Sequence, residues 1–331
     1  MYNYEDINTV HLEVTQRCNA SCPMCDRNEN GGAVNQHIKN NLQELSLDDC
    51  INIFDPDFLQ QLKTLYMCGN LGDPISARDT LEIFDYTRAM NDNMWLSMNN
   101  TNHLYRQGVQ WEKVERNMRA FIEAGGRARW DYLIFEHSEC DVERAEELAK
   151  KWGVEKFMKK KTGRFINSDS ETKETHQATN RKGAVMQNLA KPKKAEHQNL
   201  ALAKTEEIKK TYGSMKKYYD SCDIKCKVAG KDPNIFITAE GLVLPCCWTA
   251  GRMYKWWHKD PKVEQIWDFI DAAGGKEALD AKIHGVKGVF ETGIMQNIQA
   301  SWNKKSIEEG KLGVCSMKCG TEFDPFAEQF T

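Results

Sequence analysis

The 331-residue sequence has almost no surplus of charge, since 45 Lys and Arg stand against 48 Asp and Glu for a net of -3. Without a broad positive field, general nucleic-acid binding is excluded. Nor is there an apolar run near the roughly 18 residues that a membrane-spanning helix needs. The opening, Met1-Tyr2-Asn3-Tyr4-Glu5-Asp6-Ile7, lacks the basic and then apolar profile of a signal peptide. These absences, with a mean hydropathy of -0.65, predict a cytoplasmic protein without membrane contact. Hydrophobic residues still reach 40% and aromatics 10%, enough for an ordinary core, so a disordered chain is excluded as well. What the sequence has in quantity is cysteine. Twelve in a chain read as cytoplasmic are metal ligands or catalytic thiols sooner than disulfides, and their spacing decides which.

At roughly 150 residues per domain, the length predicts two domains of unequal size. Residues 1–166 alternate short apolar runs with helical patterns, the signature of βα units and a parallel sheet. Five strands are expected: one around Val10, Leu12 and Val14, then Thr64 to Cys68, Met94 to Met98, Trp130 to Glu136 and Glu155 to Lys160. One helix carries Val114, Met118, Phe121 and Ile122 and stops at Gly125-Gly126. Another runs from Asp141, as N-cap, to Trp152, with Ala145, Leu148, Ala149 and Trp152 on one face and Gly153 closing it. Residues 167–221 are polar and Lys-rich and read as a linker with helical pieces. A solvated surface is the plainer account of those lysines; a dock for an acidic leader peptide is the sharper one. Residues 222–331 carry six of the twelve cysteines and a short β-like stretch, Asn234 to Leu244, so a second, small, metal-dependent domain is expected there.

The first strand runs into Thr15-Gln16-Arg17-Cys18-Asn19-Ala20-Ser21-Cys22-Pro23-Met24-Cys25, a Cys-x3-Cys-x2-Cys triad in a loop. Three thiolates can hold three irons of a four-iron, four-sulfur cube and leave the fourth iron open to a small molecule. Structural zinc needs four closed ligands, commonly as two short hooks, whereas this loop has an odd third cysteine and the nearest histidine, His37, lies well downstream.

The triad at the end of a first strand resembles the hallmark of the radical S-adenosylmethionine (radical SAM) superfamily. The resemblance implies a partial (β/α) barrel of about five or six parallel strands. It also implies that the open iron is chelated by S-adenosylmethionine, which is cleaved reductively to methionine and a 5'-deoxyadenosyl radical that abstracts a hydrogen atom from the substrate. In a βα barrel, binding residues gather at the C-terminal strand ends. There the second strand enters Cys68-Gly69-Asn70-Leu71-Gly72-Asp73-Pro74, similar to the Gly-Gly-Glu-Pro-like turn that in the family receives the cofactor's amino group. Here there is an insertion between the glycines, and Asp replaces Glu. By the same resemblance Gly69, Gly72, Asp73 and Pro74 are cofactor-binding candidates, and Ser97 and Asn99, in Leu96-Ser97-Met98-Asn99-Asn100, are candidates for the ribose. His137 and the group Lys161, Thr162 and Arg164 stand at later strand ends, where a structural histidine and a solvated rim are the competing accounts. One βα unit that relatives carry before a segment like Thr101 to Arg106 is missing.

The run Cys226-x14-Gly241-x4-Cys246, with Cys315 and Cys319, resembles the twitch domain, a shortened SPASM domain holding one auxiliary four-iron cluster. Four thiolates, Cys226, Cys246, Cys315 and Cys319, would close every iron, with Cys222 and Cys247 as rival ligands and structural zinc as the competing metal. Trp248, Tyr254, Trp256, Trp257 and His258 stand nearby, and packing explains them more simply than substrate contact. Cys50, Cys68 and Cys140 read as small core residues. The expectation is thus an α/β radical SAM enzyme with a small C-terminal iron-sulfur twitch domain. The resemblance implies an electron donor such as flavodoxin or ferredoxin and an unidentified small-molecule or peptide substrate. A peptide-modifying maturase is the alternative within enzymes. A non-catalytic iron-sulfur electron carrier or zinc-stabilised binding protein is the alternative from another class, although neither has a use for the Gly69 to Pro74 turn.

Overall fold

The computed structural model describes residues 2–91, 94–98, 110–165, 174–254 and 265–324. Among the described residues there are nine strands: β1 (Thr9–Leu12), β2 (Thr64–Met67), β3 (Trp95–Met98), β4 (Arg129–Ile134), β5 (Lys156–Lys161), β6 (Thr175–Thr179), β7 (Val185–Ala190), β8 (Asn234–Ile237) and β9 (Val243–Leu244). The chain forms two compact units that interleave in sequence. One takes Met1–Cys18, Val34–Asn99 and Tyr219–Thr321; the other takes Asn19–Ala33, Asn100–Tyr218 and Glu322–Thr331. They therefore do not coincide with the consecutive blocks 1–166, 167–221 and 222–331 expected from composition. No described helix is long and apolar enough to cross a membrane.

The first unit is built on a sheet of order β3-β2-β1-β8-β9. Its first four strands run parallel, and β9 returns antiparallel on β8. Val10 lies in register with Leu65 and Ile235, and Leu12 with Met67 and Ile237. All six side chains are fully buried, each worth about 2 kcal/mol of burial. Helices with their own caps complete this core: Ser46 and Asp49 close a capping box before Leu47–Ile53, and Asp55 caps Pro56–Gln61. These place Ile53, Phe54, Phe58 and Leu59 in the same apolar cluster as Ile235 and Ile237. The placement of β8 differs from the expected isolated domain, because Asn234–Ile237 is a central parallel strand beside β1. Its unbroken apolar run, Ile235-Phe236-Ile237, is what a strand buried on both faces requires.

In the second unit, β4 and β5 pair in parallel with Trp130 opposite Phe157, and the helix Val142–Trp152 connects them. Val142, Ala145 and Ala149 are buried against the strands, and Trp130 stacks on Trp152 at 5.7 Å and 7°. Gly153 ends the helix in the left-handed conformation at φ 78°. Asp141 occupies the N-cap position but makes no capping hydrogen bond there. Phe121 belongs to the helix Trp111–Glu123, which has no fully buried side chain. It is 53% exposed, and its ring lies where a Cβ on Gly126 would come within 2.5 Å. Within the stretch expected to be a linker, β6 and β7 form an antiparallel hairpin followed by the helix Ala201–Tyr212. The only apolar side chains the hairpin buries are Ala178 and Leu189, against Phe135 and Phe165, so its polar strands carry little alternation to be seen. The five strands expected before residue 166 are present, three in one sheet and two in another among the described residues. Cys50 is buried and Cys68 half-buried, whereas Cys140, expected in the core, is exposed.

Candidate active site

The end of β1 carries the first group of functional side chains. Val10, Leu12 and Val14 point into the core, so His11 and Glu13 occupy the opposite face. His11 sits between Tyr66 and Phe236, at centroid distances of 4.5 and 4.6 Å, and its Nε2 lies 2.6 Å from the Cys68 carbonyl oxygen. Burial lowers its pKa to about 4. Glu13 accepts hydrogen bonds from the N–H of Leu71 at 2.6 Å and of Gly72 at 3.3 Å. Burial raises its pKa to about 7 against those same hydrogen bonds, which lower it. Neither residue was singled out from the sequence. The available signal was two polar residues on the second face of a strand whose first face is wholly apolar.

The Gly69 to Pro74 turn is thereby fastened to the chain just ahead of Cys18. A Cβ on Gly69 would lie 2.6 Å from Glu13 Oε1, and one on Gly72 only 1.7 Å from the Thr15 carbonyl oxygen. Gly72 is required by close approach of its backbone to the segment after β1, and Gly69 by the Glu13 carboxylate and the Gly72 backbone packed against it. The Asp73 N–H donates to the Arg17 carbonyl at 2.8 Å, and Asp73 Oδ1 accepts from the Ile75 N–H at 3.2 Å. Pro74, buried, opens the short helical turn Pro74–Ser76. Arg17 is held in turn by Glu44, which accepts from its Nε at 2.9 Å and from Thr15 Oγ1 at 2.6 Å.

Cys18, Cys22 and Cys25 are all half-buried. Cys22 and Cys25 belong to the segment Asn19–Ala33 of the second unit, where side chains from elsewhere in that unit hold the backbone. Arg181 donates to Ser21 Oγ at 3.1 Å and to the Asn19 carbonyl at 2.9 Å, and Arg164 donates to the Met24 carbonyl at 3.3 Å. The ring of His176 lies 3.1 Å from the Pro23 carbonyl oxygen. The Arg27 N–H approaches Cys25 Sγ at 3.5 Å. Cys22 and Met24 pack on Phe135, Phe165, Ala178 and Leu189. Of the other strand-end candidates, His137 stacks on Phe135 at 5.6 Å, and Thr162 is buried with its hydroxyl accepting from the Arg164 N–H. Lys161 ends β5, and its carbonyl accepts from Asn199. Asn99 and the segment Thr101 to Arg106 lie outside the described residues, as does the side chain of Ser97.

The second cysteine group lies within the first unit. Cys226, Cys246, Cys315 and Cys319 line one cavity together with Trp248 and Trp302. Cys226 precedes the turn Lys227–Ala229, Cys246 precedes the short helix Cys247–Ala250, and Cys315 and Cys319 stand one turn apart on the helix Gly313–Cys319. Thr249 Oγ1 is 3.6 Å from Cys246 Sγ, and the Lys225 N–H donates to the Cys319 carbonyl at 2.9 Å. The two rival ligands stand apart from that cavity lining. Cys222 is buried with its thiol near the carbonyls of Tyr219 and Ser316, at 3.7 and 3.9 Å, and the Cys247 carbonyl accepts from Asn70 Nδ2 at 2.8 Å. Trp256, Trp257 and His258 lie outside the described residues.

Among the described residues no three Cys, His, Asp or Glu side chains lie close enough together to hold one metal ion. A tetrahedral zinc with sulfur ligands at 2.3 Å would hold its thiolates ~3.8 Å apart, whereas a cube spreads them over separate corner irons. Four thiols lining one cavity whose other walls include tryptophans suit the cube as a donor set, and three half-buried thiols on one loop suit a cube with an open corner.

The sequence matches no protein-family model and no curated protein. The structure is similar to SuiB of Streptococcus suis bound to S-adenosylmethionine, at 12% identity and a TM-score of 0.44, over 94% of this chain and 77% of that one. It is similar to BtrN in complex with S-adenosylmethionine and 2-DOIA, at 12% identity and a TM-score of 0.36, over 98% of this chain and 96% of that one. A third similar structure is anSMEcpe with bound S-adenosylmethionine, at 13% identity and a TM-score of 0.43, over 95% of this chain and 86% of that one. With every TM-score below 0.5, the reading of the site rests on this chain's own residues.

Proposed function

We propose that this protein is a radical SAM enzyme. It holds a [4Fe-4S] cluster on Cys18, Cys22 and Cys25 and an auxiliary [4Fe-4S] cluster on Cys226, Cys246, Cys315 and Cys319, in a twitch-like C-terminal region. The observation that carries this reading is the fastening of the Gly69 to Asp73 turn, through Glu13 and the Arg17 carbonyl, to the strand end that leads into the cysteine triad. A purely structural metal loop has no use for that turn. When bound, the cluster and S-adenosylmethionine supply reductive cleavage to methionine and a 5'-deoxyadenosyl radical, which removes a hydrogen atom from the substrate. Asp73 offers a carboxylate for the cofactor's ammonium group, and Gly69 and Gly72 let the backbone that carries it lie against the end of β1. Glu13 and Glu44 hold the turn and Arg17 in place. Phe135 and Phe165 keep water from the Cys22 side of the loop. An electron donor of the flavodoxin or ferredoxin type belongs to this proposal, as does an unidentified small-molecule or peptide substrate.

The test is anaerobic reconstitution. Wild-type protein should bind about eight irons, two four-iron clusters. Exchange of Cys18, Cys22 and Cys25 together for Ala should leave about four and abolish formation of 5'-deoxyadenosine. Continued cleavage of S-adenosylmethionine by the triple variant would place the catalytic site elsewhere.

A further inference from the structure

The cavity of the four thiols has in its wall a buried donor that makes no well-formed hydrogen bond among the described residues. Trp302 lines it, and its indole Nε1 is buried without a well-formed hydrogen bond among the described residues, with the Cys315 thiol close by. Its position is imposed by the backbone. Trp302 follows the helix Ile294–Ser301, the Trp302 N–H donates to the Gln299 carbonyl at 3.1 Å, and Ser301 Oγ accepts from the Leu312 N–H at 3.3 Å. Leu312 is the residue that opens the helix bearing Cys315 and Cys319. One buried hydrogen bond thus fixes the end of one helix against the start of the other, which sets the indole against the Cys315 side of the cavity. An indole N–H can only donate, so a buried one gains from a strong acceptor within reach. A neutral thiol is a weak acceptor, while a thiolate on iron carries the negative charge that makes a donor's hydrogen bond strong.

We propose that the Trp302 indole donates a hydrogen bond to the Cys315 sulfur once that sulfur ligates the auxiliary cluster, and so raises the potential at which this cluster accepts an electron. The inference rests on reading the second cysteine group as a cluster site. One-electron reduction adds a negative charge that spreads onto the ligand sulfurs, so a donor at Cys315 stabilises the reduced form more than the oxidised one. Trp302 is a positioning and tuning residue and touches no substrate. Thr249, whose hydroxyl lies beside Cys246, is a second candidate partner for a ligand sulfur, but unlike Trp302 it already donates elsewhere, to the Cys246 carbonyl at 2.7 Å.

The experiment is a potentiometric titration of the reconstituted protein, followed by electron paramagnetic resonance. Trp302→Phe keeps an aromatic ring in the wall and removes only the donor. With iron content unchanged, the variant's auxiliary cluster should show a reduced-to-oxidised ratio about tenfold lower at a given potential near the midpoint, a shift of about 59 mV for one electron. In the unaltered protein, the reduced auxiliary cluster should also show a solvent-exchangeable proton coupling. That second measurement holds whether or not the variant folds. A second cluster that lacks this coupling, or whose potential ignores Trp302→Phe, overturns the inference alone. Wild-type protein that binds only one four-iron cluster overturns the auxiliary site itself and this inference with it.

Discussion

Glu13 is a carboxylate in the sequence that the structure buries at the end of β1, and that burial makes its effect on stability pH-dependent. Its pKa of about 7 in the folded chain stands above an ordinary value of 4.5, because burial disfavours the charged form. Between those two values the folded protein keeps a proton that the unfolded chain has released. The contribution of Glu13 is therefore full below about pH 4.5 and is lost as pH rises through 7, by on the order of 3 kcal/mol. Glu13→Gln keeps a carbonyl oxygen for the Leu71 and Gly72 N–H groups without the titration. Urea unfolding at pH 4 and pH 8 should show wild type losing about 3 kcal/mol relative to the variant across that interval. The neutral His11, with its pKa of about 4, acts in the opposite direction, stabilising less as pH falls below 6.5, but it does so equally in both proteins and cancels. Identical pH dependence in the two proteins would remove Glu13 as the titrating group. Asp73 makes a second claim at this scale. Asp73→Asn keeps an oxygen for the Ile75 N–H and removes the charge offered to the cofactor's ammonium. Binding of S-adenosylmethionine should weaken about ten- to hundredfold, as loss of a 1.5–3 kcal/mol charge-assisted hydrogen bond requires, with thermal stability unchanged.

Among elements, the turn after β2 shows how a loop becomes a fixed part of a site. Gly72 has backbone where a Cβ would stand, 1.7 Å from the Thr15 carbonyl oxygen, and neither partner is a flexible side chain that could yield. Gly72→Ala must push the turn off the end of β1, at about 1–3 kcal/mol in stability, and should weaken cofactor binding more than Asp73→Asn does. Calorimetry of the apoprotein and titration with S-adenosylmethionine check both parts; a variant as stable as wild type would mean that the turn is not packed as described. The elements legible in the sequence were those whose pattern is local. Helix Val142–Trp152 displays its Ala145 and Ala149 face and its Gly153 stop, and β1 displays its alternation. The hairpin of β6 and β7 did not, because it buries only two apolar side chains in the core beneath it and the rest of both strands is polar.

For the molecule as a whole, the partnership of β8 with β1 decides how the second cysteine group is supported. Residues 235–237 share an apolar cluster with Val10, Leu12 and Leu65, and the same cluster extends to Ile294, Ile298 and Val314 beside the thiol-lined cavity. The cysteines thus belong to the unit that carries β1, and their loss should be felt there. Cys315→Ala with Cys319→Ala should lower the melting temperature of that unit in one transition, with no separate melting of residues 222–324. It should stop net product formation while leaving some cleavage of S-adenosylmethionine at the first cluster. A separate low-temperature transition confined to the C-terminal residues would instead show a domain that folds on its own.

Spacing along the chain was enough to mark out the cysteine triad, the four later cysteines and the glycine turn as candidates, because metal ligation and close backbone approach would demand particular residue types at short sequence separations. It was also enough for five strands, whose apolar runs are local. What only the tertiary structure decided were relations across long separations. These include β8 joining β1, Glu13 reaching 58 residues ahead to Leu71, and Asn70 reaching Cys247 across 177 residues. They also include the placing of Cys222 and Cys247 apart from the cavity lined by the four. Such contacts leave no periodicity in the sequence, since they arise when separately formed elements bury their apolar faces together and each buried polar group must then find a partner within reach.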